Sequence, residues 1–307
     1  MPLPPSRRLT LLTGACLAAL LTGCGSPRAG QPDASAPGRV AVVASTNVYG
    51  DIARHIGGDR VDVTSIISDP GQDPHSYEAD PQNQLALSRA KVVIENGGGY
   101  DDFVGRMLRA GHNDSAHLVD AVAVSGRTAP RGGRLNEHVW YDFPTVAKVA
   151  DRIAAALAAA DPGHARAFAR NAAVFRAGLA PLEAGEARIR KEHGGEGIAI
   201  TEPVPLYLTG ASGLVDRTPP AFSEAVEEGD DVAPRVLRES LALFTERKVR
   251  ALVCNEQTSG PQTAEAEAAA RAAGIPVVPV TETLPKGEDY LGWMTANVRA
   301  LAGALAR

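Results

Sequence analysis

The chain has 307 residues, a formal net charge of −5 at pH 7, and 22% charged against 44% hydrophobic residues. This acidic balance, with no basic helix and no aromatic-basic array, excludes a nucleic-acid partner. The length leaves room for two lobes of ordinary domain size behind a short leader.

Residues 1–23 read as a lipoprotein signal peptide. Arg7 and Arg8 form a positive start, Leu9 to Leu21 is an apolar run too short to span a bilayer, and Leu21-Thr22-Gly23-Cys24 puts small residues before a cysteine. That ending resembles a bacterial lipobox. The resemblance implies cleavage before Cys24, lipidation of its thiol, and an extracytoplasmic protein anchored on the periplasmic or cell-surface side of the membrane. Residues 24–38 are small, polar and proline-bearing, which predicts a flexible tether. Cys254 is then the one unlipidated thiol, so no intramolecular disulfide framework forms; it lies in a strand-like run and reads as a small buried hydrophobe.

The first lobe is expected over residues 39–160. Arg39 to Ala44 reads as a strand, and Val48 to Ile56 as a helix stopped by Gly57-Gly58. Val61 to Ile67 reads as a buried strand, followed by Gly71-Gln72-Asp73-Pro74-His75. Pro74 keeps Asp73 out of helical geometry and presents His75 on a loop after a strand, where α/β sheets bind ligands. Asp80-Pro81 opens a helix to Ala90, and Lys91 to Glu95 is a further strand. Gly97-Gly98-Gly99 lacks dinucleotide-loop spacing and reads as a tight turn with close backbone approach. Asp101 to Ala110 is a helix, with His112 and His117 solvent-facing in the polar connection after it. The Arg127, Arg131, Arg134 cluster reads as a solvated loop. His138 then stands beside Trp140 and Tyr141, placed to bind a ligand or simply to pack on Trp140 or cap the next helix.

Pro144 to Ala160 is helical, and Asp161-Pro162 ends it. Residues 161–193 read as a long linking helix between the lobes, with Phe168, Phe175, Leu179 and Leu182 on recurring faces and Pro181 inside. The second lobe, residues 194–307, alternates strands and helices, the mark of a mainly parallel sheet. Gly197 to Thr201 is a strand leading into Glu202, which either binds a ligand or caps the helix from Leu206 to Ala211. Val249 to Cys254 is a strand, Pro261 to Ala273 a helix, and Ile275 to Val280 a strand whose prolines place it near an edge. Glu282 follows that last strand, and a final helix runs from Asp289 to Leu305.

His75 and His138 in one half, and Glu202 and Glu282 in the other, form a donor set suited to zinc, manganese or iron. Two carboxylates neutralise a divalent cation, and dividing the donors between lobes makes the ion favour the closed arrangement. Affinity is expected to fall below about pH 6.5, because imidazole must be deprotonated to bind a metal.

Over its whole mature length the sequence resembles the zinc/manganese substrate-binding lipoproteins of bacterial ABC importers, the cluster A-I (cluster 9) metal-binding family. The resemblance is carried by Asn47-Val48-Tyr49-Gly50-Asp51-Ile52-Ala53, Asp73-Pro74-His75-Ser76-Tyr77-Glu78, Asn96-Gly97-Gly98-Gly99-Tyr100-Asp101 and Tyr290-Leu291-Gly292-Trp293-Met294. It implies two α/β lobes joined by a rigid helix, a metal held between them by His75, His138, Glu202 and Glu282, and delivery by a monomeric receptor to an ABC permease. Two departures stand out. Glu202 precedes an unusual Pro-Val-Pro, and Glu282 takes a place where the family commonly carries aspartate, which leaves Glu256 or water as alternative fourth donors. Glutamate as third donor and the absence of histidine from residues 125–137 lean toward manganese, whereas the intrinsic affinity order favours zinc; the cargo is expected to be one of the two. The competing readings are a secreted metal-dependent hydrolase, with Glu256 as base, and an adhesin in the same fold. No H-E-x-x-H or G-x-S-x-G motif supports the hydrolase, so a non-catalytic receptor is expected.

Overall fold

The computed structural model describes residues 38–69, 77, 80–131 and 133–307. Cys24, the proposed lipid anchor, and His75, the first proposed metal donor, lie outside the described residues.

The first half opens with β1 (Val40–Thr46), α1 (Asn47–Gly57) and β2 (Val61–Ile67). It continues with α2 (Pro81–Arg89), β3 (Val92–Glu95), α3 (Asp102–Ala110), β4 (His117–Asp120), α4 (Ala121–Ser125) and α5 (Phe143–Ala160). Two of its helices, α2 and α4, start where an aspartate side chain satisfies a first-turn backbone donor. Asp80 accepts from Gln82 N at 2.6 Å and Asp120 from Ala123 N at 2.8 Å. α1 ends at Gly58, whose φ of 57° suits a residue without a Cβ.

The second half runs through α6 (Ala165–His193), β5 (Gly197–Ile200), α7 (Leu206–Ala211), β6 (Val215–Asp216) and α8 (Pro220–Glu227). It closes with α9 (Pro234–Thr245), β7 (Leu252–Asn255), α10 (Pro261–Ala272), β8 (Val277–Val280) and α11 (Tyr290–Leu305). The sheets are parallel throughout, in the orders β2-β1-β3-β4 and β6-β5-β7-β8. Strand order reverses between β1 and β3 in one sheet and between β5 and β7 in the other. These reversals are the points at which open α/β sheets bind ligands, beyond the carboxyl ends of the strands.

The linking helix is one turn shorter than expected. Residues 162–164 form a 3-10 turn, and the continuous α-helix begins at Ala165 and carries Pro181 inside it. α6 packs on α1 and α5 of the first half and on α7 and α11 of the second. Two glycines, seven residues apart, set how closely α11 lies on it. A Cβ on Gly178 would stand 2.5 Å from Leu291 Cδ1, and one on Gly185 would stand 2.6 Å from Val298 Cγ1. One apolar core runs from Val42 and Ile94 through Trp140 and Phe168 to Ile200, Val253 and Met294, so the two sheets share a buried interior. No described helix is long and apolar enough to cross a membrane.

Several elements differ from expectation. His117 is the first residue of β4 rather than part of a polar connection, although its side chain is exposed. β4, α4, β6, α8 and α9 were not anticipated; the strands are two to four residues long and leave no alternation to read. β8 is an edge strand, as its prolines require.

Candidate metal centre

The carboxyl ends of the two sheets face each other across the lobe junction. On the first side Gly97, Gly98 and Gly99 all have positive φ (75°, 70° and 100°), and a Cβ on Gly97 would sit 2.3 Å from Asp120 Oδ1. This turn folds the Asp101 carboxylate back onto Asn96 N (2.6 Å) and Gly97 N (2.8 Å) and projects Tyr100 toward the second lobe. The Tyr100 hydroxyl donates to Glu282 Oε2 at 3.0 Å. Burial, then the neighbouring Glu282 charge, holds that phenol well above its usual pKa, so it remains a donor.

His138 is fully buried, at 0% exposure, and is held in place from several sides. The Tyr49 hydroxyl donates to Asn96 Oδ1 at 2.5 Å, and Asn96 Nδ2 in turn donates to Glu137 O at 3.0 Å, fixing the backbone just before the imidazole. Trp140 meets the ring edge-on at 5.1 Å and Tyr100 does so at 6.0 Å. Asn136 sets the tautomer. Its Nδ2 donates to Pro203 O (3.1 Å), so its Oδ1 is the acceptor for both His138 N (3.1 Å) and His138 Nδ1–H (2.8 Å). That bond turns Nε2 toward the carboxylates of Glu282 and Glu227, the orientation that a metal-binding imidazole takes. The packing on Trp140 and the ligand-ready orientation are thus one arrangement.

On the second side Glu202 follows β5 and Glu282 follows β8, and they are 2% and 3% exposed. Asn255, the last residue of β7, joins them: its Nδ2 donates to Glu202 Oε2, to Glu282 Oε1 (2.8 Å) and to Thr258 Oγ1 (3.2 Å). Gln257 holds the Glu282 loop, its Oε1 accepting from Glu282 N (2.6 Å) and Thr283 N (2.9 Å). The first lobe grips the same loop. Asn47 accepts from Leu284 N at 2.9 Å and donates to Leu284 O at 2.8 Å, while the Tyr141 hydroxyl donates to Thr281 O at 2.8 Å.

His138 Nε2 lies 3.9 Å from Glu282 Oε2 and 3.8 Å from Oε1 of Glu227, at the end of α8. Bonds of about 2.1 Å put two donors of one tetrahedral shell roughly 3.4 Å apart, so these separations are close to ligand spacing. Glu137, His138 and Glu227 also offer donor atoms that all lie within 4.8 Å of one another. Burial first, then the charges of Glu137, Glu202 and Glu282, pushes the Glu227 carboxyl up to about 8, with Arg134 opposing.

The structure therefore brings His138, Glu202 and Glu282 together, with Tyr77, two residues past His75, anchored against Phe103 at 4.4 Å between ring centres. Glu256 is exposed and lines a separate depression beside Cys254, Glu267 and Arg271. Cys254 is buried, and burial together with its bond to Glu267 pushes the thiol up to about 12. The arginine loop is solvated as expected, with Arg127, Arg131 and Arg134 all exposed, and it also makes local contacts. Arg127 pairs with Asp142 at 2.9 Å and lies 4.8 Å over the Tyr207 ring, and Arg134 pairs with Glu228. Sequence reasoning missed Glu227, Asn136 and the bridging role of Asn255. The available signal was the position of Asn255 at a strand end; nothing local marks Glu227.

A two-lobed α/β binding fold with imidazole and carboxylate donors meeting at facing sheet ends defines the class. The chain belongs to the family described as zinc-uptake complex component A, periplasmic, which matches residues 42–304. The manganese-binding lipoprotein MntA of Bacillus subtilis (strain 168) is 34% identical over 168 residues, 53% of each chain. The chain thus spans about half the length of this relative, a 53% share. The metal ABC transporter substrate-binding lipoprotein FimA of Streptococcus parasanguinis is 24% identical over 291 residues, covering 89% of this chain and 91% of that protein. The periplasmic zinc binding protein TroA from Treponema pallidum shares the fold, with a TM-score of 0.74 at 21% identity over 88% of this chain and 100% of that one.

Proposed function

We propose that this chain is an extracytoplasmic solute-binding protein that captures a divalent transition metal, zinc or manganese, and hands it to an ABC permease for import. The single observation that carries this reading is the approach of His138 Nε2 to the buried Glu282 carboxylate, which Asn255 holds beside that of Glu202. Two carboxylates this deeply buried repel each other, and a dication between them relieves the repulsion while accepting the imidazole lone pair. His75 is the fourth donor in this proposal, residues 39–160 and 194–307 are the two lobes, and Cys24 carries the lipid anchor. The names of MntA and FimA, both lipoproteins and one an ABC transporter substrate-binding protein, support the anchor and the permease partner. Capture and release require no bond to be made or broken in a substrate, so the role is non-catalytic, and one chain supplies the whole donor set.

The test is competitive titration of metal-stripped residues 25–307 with zinc and manganese, repeated for His75→Ala, His138→Ala, Glu202→Ala and Glu282→Ala. Structural zinc sites bind with about 10–16 kcal/mol shared over four donors, roughly 3 kcal/mol each, so each variant is expected to lose about a hundredfold in affinity. Unchanged binding in one variant removes that residue from the donor set. Failure of the intact chain to bind either ion overturns the reading.

A further inference from the structure

We infer that Glu227 is an additional metal donor, a third carboxylate beside His138, Glu202 and Glu282, and that it sets the preference of the site toward manganese over zinc. This rests on the metal-receptor reading above and deepens it.

Three features of Glu227 point to a cation. Its Oε1 stands 3.8 Å from His138 Nε2, the same nitrogen that lies 3.9 Å from Glu282 Oε2, so both oxygens flank the position that a lone pair on Nε2 would address. That oxygen is shielded from solvent and has no hydrogen-bond partner, in a side chain only 13% exposed. A polar atom in that condition is costly to keep unless something binds it. Glu227 is also the last residue of α8, where the unsatisfied carbonyls carry the negative end of the helix dipole and disfavour a carboxylate. The cation closest in sequence to the site, Arg134, is engaged with Glu228, the next residue. Local packing and helix electrostatics therefore both oppose an acid at position 227, and a dication at His138 Nε2 would answer both.

The consequence for selectivity follows from ligand chemistry. Zinc in a protein site settles for four donors in a tetrahedron, whereas manganese prefers hard oxygen donors in a larger shell. A third carboxylate adds one more hard oxygen and one more coordination position, which benefits manganese more than zinc.

The experiment compares Glu227→Gln and Glu227→Ala with the unaltered chain in two ways. These are competitive titration with manganese and with zinc, and metal-edge X-ray absorption of the manganese-loaded protein. Gln preserves size, and Ala is well tolerated at a helix end, so one variant reports even if the other folds poorly. The expected result is a loss of tenfold or more in manganese affinity with threefold or less for zinc, and one oxygen neighbour fewer around manganese. A manganese-to-zinc ratio unchanged within about twofold, with an unchanged neighbour count, overturns the inference while leaving the receptor reading intact. That outcome would assign Glu227 as a protonated carboxyl at the edge of the site. An unaltered chain that binds neither ion overturns both.

Discussion

The two lobes prepare their halves of the site by opposite means. In the first, the His138 ring is wedged among Tyr100 and Trp140 and tied to Asn136, so packing and an uncharged amide fix its place. In the second, Glu202 and Glu282 are acids brought together at the ends of four-residue strands and held there by the amides of Asn255 and Gln257. One side is rigid because it is packed. The other is held under electrostatic tension by a hydrogen-bond clamp. The comparison teaches that a bound dication would relieve a cost on the second side alone, so metal binding and the stability of the second lobe are linked.

The largest effect that tests this contrast is on the packed side. Trp140→Ala is expected to destabilise the metal-free protein by about 3–5 kcal/mol, as truncation of a buried aromatic residue does, measured by urea unfolding. A loss under 1 kcal/mol would mean that the aromatic wall is not what holds His138. Glu202→Gln should cost about a hundredfold in metal affinity, for the loss of a charged donor. Its metal-free melting temperature should hold or rise, since two carboxylates a few ångström apart repel by about 3–4 kcal/mol even at an effective dielectric constant of 20. A fall in that temperature would break the contrast, because it would show that the acids stabilise the second lobe as packing stabilises the first.

Asn255→Ala comes next. Removing a residue that orients ligands costs about 10–100-fold in metal affinity, and leaving the two carboxylates without their shared amide should lower metal-free stability as well. Equal affinity in the variant would show that the clamp is dispensable. The smallest expected effect lies outside the donor set, at Glu95. Burial, then the charges of Asp101 and Asp120, raises its carboxyl to about 7 from 4.5. The folded protein therefore holds a proton that the unfolded chain has released, and this contribution to stability is fully present below about pH 4.5 and declines as pH rises through 7. Glu95→Gln should raise the melting temperature at pH 8 and leave it nearly unchanged at pH 4.5; an equal shift at both values would show that the effect is not protonic.

The same contrast explains how much was legible in sequence. The fold class could be read because β2, α5 and α6 are long enough for hydrophobic period and breakers to show, and because Pro81, Gly57-Gly58 and Asp289 mark ends by known capping chemistry. Glu202 and Glu282 stood out as candidates because they follow strands, where such sheets bind ligands, and His138 stood out beside Trp140 and Tyr141. The clamp was not. Asn255 and Gln257 act on residues roughly 25 to 53 positions away, and only strand order places them there. β6 has two residues and offers no pattern at all. Glu227, at the end of α8, meets His138 only through tertiary folding, an outcome with no local sign. The partners of the exposed Arg127 were not legible, because neither Asp142 nor Tyr207 is a sequence neighbour.

The glycines at 178 and 185 have a consequence for motion. Leu291 and Val298 sit in sockets that the linking helix leaves open only because those two positions lack a side chain. To slide or roll, α11 would have to lift both residues out together, so its seat on the linking helix is fixed by two missing methyl groups. In the receptor proposed above, admission and release of an ion would then fall to loops such as those carrying His138 and Glu282 rather than to the packing of α11 on α6. Gly178→Ala would push Leu291, and with it the start of α11, off the linking helix.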